Sequence, residues 1–334
     1  MAFPLGKMRY TLVFLFVVLA ANFLMAQAVM HNDQSGKARP DGKGGVVIEA
    51  ETEAATGDIQ LGPIGDAVVT GNGINYHGGP VMKANPVHIY LIWYGNWAGT
   101  GSNTAATVSL VEHFLSTVGN TPYEKINTTY GDATGNVSGN LTFSGHTFVN
   151  TTTNLTDARL RTTVGNAISS GALPNDANGV YMVLSSSNIN ETSGFCTQYC
   201  GFHTRATLSG TDIKYSFVGN PDRCPSGCEA QRTGPNSPAT NVGGADGMIN
   251  IITHESEEAI TDPDLNAWFD ASGQEDADKC NFNFGTTSTC TSASVCSASG
   301  KAAAAKFNQT FGGNSYLMQE EWKNSGGGGC VQHL

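Results

Sequence analysis

The hydrophobic pattern of this chain alternates between strands and amphipathic helices from about residue 87 onward. Residues 87–94 form a strongly apolar run, and residues 104–118 carry apolar side chains at helical spacing. Residues 141–149 alternate as a strand does, and residues 157–172 return to the helical spacing. The first half of the ordered region is therefore predicted as strand, helix, strand, helix.

The same pattern predicts three further elements. Residues 179–185 and 213–218 are short buried strands, and residues 247–260 form a helix that ends before Pro263. The resulting order predicts an α/β (α+β) fold, with a mixed sheet covered by helices.

The N-terminal residues indicate export. Lys7 and Arg9 precede an uncharged apolar run, and Ala26 and Ala28 follow it. This order is typical of a signal peptide over residues 1–28. A retained membrane anchor is the alternative, but a run of about 15 residues is shorter than the roughly 20 that cross a bilayer. No later segment is long and apolar enough to span, so we expect a secreted protein without a membrane span.

The domain boundaries follow from composition. Residues 29–70 lack apolar periodicity and are rich in Asp, Gly, Lys and Glu, which predicts a disordered linker or propeptide. Residues 71–334 form the folded domain, divided into a sheet-helix lobe at 71–265 and a loop-rich, disulfide-rich lobe at 266–334. The net charge of −11, with 17 Lys and Arg residues, gives no support for binding nucleic acid.

All eight cysteines lie in the last 140 or so positions and suit disulfide bonds in an oxidising compartment. Their connectivity cannot be derived from spacing. A four-thiolate zinc site at Cys196, Cys200, Cys224 and Cys228 is the alternative. A nucleophilic pairing of a cysteine with His203 in the segment 196–203 is disfavoured, because neighbouring cysteines in secreted proteins are usually bridged.

Other polar and aromatic features have two interpretations each. Trp93, Tyr94 and Trp97 form either a sugar-stacking platform or, as we favour, part of the core. His77 and His88 are predicted as turn and strand residues and not as ligands.

Glycosylation motifs, if used, would mark surface loops of a glycoprotein. They begin at Asn127, Asn136, Asn140, Asn150, Asn154, Asn190 and Asn308.

The sharpest chemical motif is His-Glu-x-x-Glu at residues 254–258. His254 and Glu258 are one helical turn apart, so both can reach one divalent cation, for which zinc is favoured. A site with one histidine and several carboxylates also suits manganese, magnesium or calcium better than a site with two histidines would. Glu255 then has the position of the glutamate that activates metal-bound water in His-Glu-x-x-His enzymes. A helix with such a motif that follows an edge strand is the arrangement of a zincin lobe, so the predicted sheet is zincin-like. The alternative is a purely structural one: a solvated acidic helix face in which His254 pairs with Glu258 and binds no metal ion.

A third ligand must come from outside the motif. Asp278 is favoured, because it precedes Cys280 in a loop that a disulfide could fix against the helix. Glu275, in the same loop, and Asp262, one turn further along the helix, are the alternatives.

Several segments of this chain form a recognisable series: YHGGPVM at 76–82, VHIYLIWYGNW at 87–97, NGVYMVL at 178–184, CGFH at 200–203, DGMI at 246–249, NAW at 266–268 and ADKC at 277–280. Together these segments resemble the plant phosphate-induced and EXORDIUM proteins. The resemblance covers about residues 76–330 and implies an extracellular or cell-wall protein linked to growth and to phosphate or hormone responses. It also favours Asp278 over Asp262, since the family pattern keeps Ala-Asp-x-Cys there. The acidic linker and the insertion at 286–299 depart from the plant pattern.

Two functions are therefore expected from the sequence. The first is a metal-dependent, peptidase-like hydrolase in which His254, Glu258 and Asp278 hold one cation and Glu255 is the general base. The second is a non-enzymatic extracellular protein that acts in signalling or binds glycans. The expected partner is an extracellular peptide or a cell-wall component.

Overall fold

The structure is a computed structural model that describes residues 73–228, 234–236, 244–271, 273–290 and 305–334. The predicted signal peptide at 1–28 and the predicted linker at 29–70 lie outside these residues. Within the described residues, no helix combines the length and the hydropathy that crossing a bilayer requires.

A five-stranded mixed sheet forms the centre of the fold, in the strand order β2-β1-β3-β5-β4. Its strands are β1 (Val87–Tyr94), β2 (Leu141–Val149), β3 (Gly179–Ser185), β4 (Gly201–Leu208) and β5 (Thr211–Val218). Strand β1 pairs in parallel with β2 and β3, and β3 pairs in parallel with β5. Strand β4 is antiparallel to β5 and lies at the edge. The predicted mixed sheet with covering helices is confirmed.

Three α-helices longer than one turn accompany the sheet in the described residues: α1 (Ala105–Thr117), α2 (Asp157–Ser169) and α3 (Gly244–Thr261). The hydroxyl oxygens of Thr104 and Thr156 accept hydrogen bonds from the first turns of α1 and α2, which satisfies backbone donors there. Helix α3 ends just before Pro263, as predicted, and packs against β4, β5 and α1.

The remaining described elements are short. A one-turn α-helix covers Pro225–Cys228, and 3-10 helices cover Glu124–Thr129, Pro221–Arg223 and Asp278–Cys280. Two-stranded antiparallel pairs join Asn75–Tyr76 to Trp268–Phe269, Gly131–Asp132 to Gly135–Asn136, Ser288–Thr289 to Lys306–Phe307, Gln309–Phe311 to Asn314–Tyr316, and Glu321–Trp322 to Cys330–Val331.

Strand β4 was missed by the hydrophobic pattern. It forms a hairpin with β5 through Ser209 and Gly210, both at positive φ, which is the backbone that a two-residue hairpin loop requires. Strand β5, which precedes α3 in the chain, therefore lies inside the sheet. The zincin-like expectation of an edge strand directly before the helix is wrong in this detail, because β4 occupies the edge.

The aromatic cluster of β1 belongs to the core. Trp93, Tyr94 and Trp97 are all buried, and the rings of Trp93 and Trp97 meet edge to face. A sugar-stacking platform at these residues is excluded, because a ligand could not reach the ring faces. Sheet and helix residues share one continuous hydrophobic core, which includes Leu91 of β1, Phe114 of α1 and Ile252 of α3.

Disulfide bonds join Cys196 to Cys224, Cys200 to Cys228 and Cys280 to Cys330. The first two bridges use the four cysteines of the alternative zinc site. That alternative is wrong, because bridged sulfurs cannot act as thiolate ligands.

The glycosylation motifs do not all lie on the surface. Asn136, Asn150 and Asn154 are exposed. Asn127 is fully buried, and its side chain donates to the backbone oxygen of Glu257. Asn127 is therefore no acceptor for a glycan in the folded protein, which corrects the expectation that all of these motifs mark surface loops.

Candidate metal site

Helix α3 is buried along its whole length. Each of its residues is buried, from Gly244 to Thr261, although the second half carries His254, Glu255, Glu257 and Glu258. The hypothesis of a solvated acidic face is therefore wrong. Burying carboxylates is costly unless a proton, a hydrogen-bond donor or a cation compensates their charge, so the question is what compensates these.

The predicted ligands meet at one point. His254 Nε2 lies 3.1 Å from Glu258 Oε1 and 3.7 Å from Asp278 Oδ1. All three side chains are buried, and their ligand atoms lie within 4.8 Å of one another. One helical turn separates His254 from Glu258, while Asp278 comes from a distant loop. These three residues fit a divalent cation, because zinc accepts both imidazole nitrogens and carboxylate oxygens as ligands, and carboxylates also suit manganese.

A second group of three adjoins the first. His203 Nε2 lies 3.1 Å from Glu275 Oε2 and 3.8 Å from Glu258 Oε2. The ligand atoms of His203, Glu258 and Glu275 also lie within 4.8 Å of one another, and all three residues are buried. Glu258 is thus common to both groups.

The loop that supplies Asp278 and Glu275 is fixed by hydrogen bonds. The backbone N–H of Asp278 donates to Glu258 Oε1 at 3.1 Å, and the N–H of Glu275 donates to Asp278 Oδ2 at 3.2 Å. The disulfide between Cys280 and Cys330 anchors the same loop two residues later. Two acidic side chains from one short loop are therefore held against the buried helix.

Gln319 holds the other nitrogen of His254. Its side-chain amide lies 3.2 Å (Nε2) and 3.5 Å (Oε1) from His254 Nδ1, so His254 Nε2 is the atom directed at the carboxylates. Burial alone would lower the pKa of His254, but the carboxylates of Glu258 and Asp278 outweigh burial and raise its pKa well above the ordinary value. An imidazole fixed by an outer hydrogen bond is typical of metal centres.

Glu255 lies beside the first group. A small cavity is lined by His254 and Glu255 together with Cys200, Asn281 and Phe282. The carboxylate of Glu255 also packs against the backbone of Gly201 on β4, where a Cβ would lie only 2.7 Å from Glu255 Oε1. Glycine is required there because a Cβ would also lie 2.7 Å from Ile251 Cγ2 and 2.8 Å from the backbone oxygen of Phe217.

A different set of acids surrounds another side of α3. Burial raises the pKa of Glu124 to about 7, and burial together with Glu124 raises the pKa of Glu257 well above its ordinary value. Burial likewise raises the pKa of Asp276 to about 7. Glu321 completes the set, and its Oε1 accepts a hydrogen bond from Tyr123 at 2.9 Å. Neither His203 nor His254 belongs to this set.

The structure brings together most of the residues that the sequence singled out. His254, Glu258 and Asp278 form the first group, and Glu275 belongs to the second. Asp262 belongs to neither, because its Oδ1 accepts the backbone N–H groups of Asn266 and Ala267 in the turn after α3.

His203 was not predicted as a ligand from the sequence. The available signal was a histidine directly after Phe202, but the two cysteines before it favoured a disulfide-bonded loop. The bridging of those cysteines is confirmed. His77 and His88 are outside both groups, as expected: His77 stacks on Phe269, and His88 pairs with Asp176.

Comparison with known proteins assigns this chain to a family. Residues 74–331 match the family described as Phosphate-induced protein 1 conserved region. The chain belongs to the phosphate-induced protein 1 family. Within this family it is similar to two Arabidopsis thaliana proteins, each 30% identical. Protein EXORDIUM-like 5 matches over 222 residues, which are 59% of this chain and 59% of that protein. Protein EXORDIUM-like 3 matches over 244 residues, 64% of this chain and 70% of that protein.

The match therefore spans less than two thirds of the length of EXORDIUM-like 5. No solved structure matches this chain. The family assignment confirms the resemblance seen in the segments from residue 76 onward. It names no catalytic activity, so the function of the buried site has to be argued from its own geometry.

Proposed function

We propose that this phosphate-induced protein 1 family member is an extracellular protein that binds a divalent cation, with zinc favoured, through His254, Glu258 and Asp278. The observation that carries the proposal is the convergence of these three buried side chains, with His254 Nε2 at 3.1 Å from Glu258 Oε1 and 3.7 Å from Asp278 Oδ1. The disulfide bonds support an extracellular location, because such bonds persist in oxidising compartments.

We further propose that the site is hydrolytic and acts on a peptide bond. A bound zinc ion supplies a Lewis acid and lowers the pKa of a bound water toward neutrality. Glu255 would accept the proton of that water and later pass it to the leaving amine. The support is that Glu255 and His254 line the same small cavity, so a water molecule there could contact both, and a general base must be within hydrogen-bond reach of the proton it takes.

One observation favours a second, non-enzymatic function. His254 and Glu258 are almost completely buried, and the cavity beside them is small. A polypeptide substrate would have to displace protein around the site before it reached Glu255. A structural cation in a cell-wall or matrix protein that signals or binds glycans needs no such access.

Metal analysis tests the binding proposal. Purified protein, dialysed against zinc and then against buffer, should retain zinc, and the His254→Ala variant should retain much less. His88→Ala is the matched control, since His88 also pairs with a carboxylate but lies outside the site. Equal zinc in wild type and His254→Ala would refute the site.

Peptide cleavage separates the two functions. Wild-type protein is incubated with casein and with a peptide library, with and without a chelator, beside Glu255→Gln. Cleavage that the chelator abolishes and that Glu255→Gln lacks supports the hydrolase. Zinc retention in wild type without such cleavage supports the structural role.

A further inference from the structure

We infer that the site is a dinuclear centre, in which Glu258 bridges the cation at His254 and Asp278 to a second cation held by His203 and Glu275. This inference rests on the proposed function, because both positions share Glu258. It adds a metal position and a ligand, His203, that the motif in α3 does not contain.

The two oxygens of Glu258 face two different histidines. Oε1 lies 3.1 Å from His254 Nε2, whereas Oε2 lies 3.8 Å from His203 Nε2. The donor atoms accordingly fall into two groups of three, each with its atoms within 4.8 Å of one another, and Glu258 is the residue common to both. A carboxylate with one oxygen toward each group has the geometry of a bridge between two cations. Paired ions in two-metal sites are about 3.5–4 Å apart.

Separate elements fix the second group. His203 is on the edge strand β4, in register with Ser216 of β5, and is buried. Glu275 belongs to the loop between α3 and the 3-10 helix at Asp278–Cys280, and its Oε2 lies 3.1 Å from His203 Nε2. A strand, a helix and a loop thus converge on one point, so the group is not an accident of neighbouring residues on one helix.

The charge of the combined cluster supports a second cation. Glu255, Glu258, Glu275 and Asp278 are four buried carboxyl groups, against the two imidazoles of His203 and His254. With every group ionised, the cluster would carry two negative charges inside the protein. With neutral imidazoles as ligands it would carry four, which two divalent cations neutralise. Buried carboxylates that are paired with cations avoid the cost of isolated buried charge.

The donor types fit the same class of ion at both positions. Each position offers one imidazole and two carboxylates, counting Glu258 in both. Imidazole and carboxylate ligands suit zinc and manganese. We therefore expect two like divalent ions and not a transition metal beside calcium, which prefers oxygen ligands alone.

Metal stoichiometry tests the inference. Zinc-loaded wild type, His203→Ala, Glu275→Gln, His254→Ala and the control His88→Ala are measured by native mass spectrometry. Two zinc ions in wild type and in the control, but one in His203→Ala and in Glu275→Gln, would support the dinuclear centre.

The failures of the two proposals are distinguishable. One ion in wild type that is lost in His254→Ala and kept in His203→Ala would overturn the second position and leave the first intact. One ion that is lost in both histidine variants would show a single shared cation, which also overturns the dinuclear centre. No ion in wild type would overturn both proposals.

Manganese provides a readout that needs no variant. Two carboxylate-bridged Mn²⁺ ions couple magnetically, so the electron paramagnetic resonance spectrum of the wild type titrated with two equivalents should show a coupled pair. Isolated six-line Mn²⁺ signals throughout the titration would overturn the inference. This measurement decides the matter even where His203→Ala does not fold.

Discussion

Two groups of buried acids lie around the same helix and differ in their partners. The metal group, defined as His203, His254, Glu258, Glu275 and Asp278, combines carboxylates with two imidazoles. The acid group, defined as Glu124, Glu257, Asp276 and Glu321, is surrounded by carboxyl groups and by the tyrosines Tyr123 and Tyr130. Glu257 and Glu258 are neighbours in the chain and belong to different groups.

The difference shows two ways of keeping acids inside a protein. In the acid group, burial raises the pKa of Glu124 and Asp276 to about 7, so protonation compensates burial. In the metal group, imidazoles converge on the carboxylates and create a set of nitrogen and oxygen donors that fits a cation. Buried acid alone therefore gives no reason to propose a metal site, whereas buried acid with two converging histidines supplies the donor atoms on which our proposal rests.

The largest expected effect separates the two groups directly. Glu258→Gln removes the carboxylate that both metal positions share, so zinc affinity should fall by more than about 100-fold, because even loss of a ligand's outer partner costs about 10–100-fold. Glu257→Gln is the matched control, one residue away and equally buried, and should keep zinc. Affinity is measured by competition with a chromogenic chelator. Equal losses of zinc affinity in both variants would contradict the distinction between the metal group and the acid group.

The disulfide that anchors the loop should affect both groups. Asp278 of the metal group and Asp276 of the acid group lie just before the bridge between Cys280 and Cys330. Replacing both cysteines by alanine should lower the free energy of unfolding by about 2–4 kcal/mol and weaken zinc binding as well. Denaturant unfolding and chelator competition measure the two effects. A destabilised variant with unchanged zinc affinity would show that Asp278 is placed without the bridge.

Gln319 connects the groups, because its amide contacts His254 Nδ1 and donates to Glu321 Oε1 at 3.3 Å. Gln319→Leu removes the outer support of His254 at similar size. Zinc affinity should fall by about 10–100-fold, while the zinc stoichiometry of the protein at saturation stays that of wild type. Fewer zinc ions bound at saturation than in wild type would mean that Gln319 does more than orient the imidazole of His254. Isothermal titration gives both quantities.

The smallest effect concerns the acid group alone. The pKa of Glu124 is raised from 4.5 to about 7, so the unfolded chain releases this proton first and stability falls as pH rises between these values. Below pH 4.5 both states hold the proton, and the penalty vanishes. Glu124→Gln should therefore stabilise the protein by on the order of 1–3 kcal/mol at pH 7.5 and by almost nothing at pH 4.5.

Thermal unfolding of wild type and Glu124→Gln at both pH values checks this prediction. The difference between the two proteins isolates Glu124 from other titrating groups. A constant difference at both pH values would mean that Glu124 is ionised in the folded protein, and the contrast between the groups would lose its basis.

Periodicity in the sequence was sufficient to predict most strands of the sheet and all three long helices. Strands β1, β2 and β3 and helix α3 were predicted because their apolar residues repeat strongly or run continuously. Strand β4 was not, since its pattern is interrupted by Thr204 and Arg205 and begins beside a disulfide. Pairing with β5 stabilises it, and local sequence does not report pairing.

Only those ligands could be predicted that the sequence marks through its own neighbouring residues. His254 and Glu258 follow from helical spacing, and Asp278 was favoured because of the loop before Cys280. His203 could not be inferred, because its place depends on the antiparallel docking of β4 at the sheet edge beside α3. The burial of the whole helix was also beyond the sequence, since the carboxylate-rich half suggested a solvated face.

A crystal structure of the zinc-loaded protein, with anomalous data collected at the zinc edge, tests the central claim most directly. The account predicts an anomalous peak at about 2.0–2.2 Å from His254 Nε2 and from oxygens of Glu258 and Asp278, with a second peak beside His203 and Glu275. Zinc-loaded crystals without a peak among these side chains, with His254 still paired to Glu258, would contradict it.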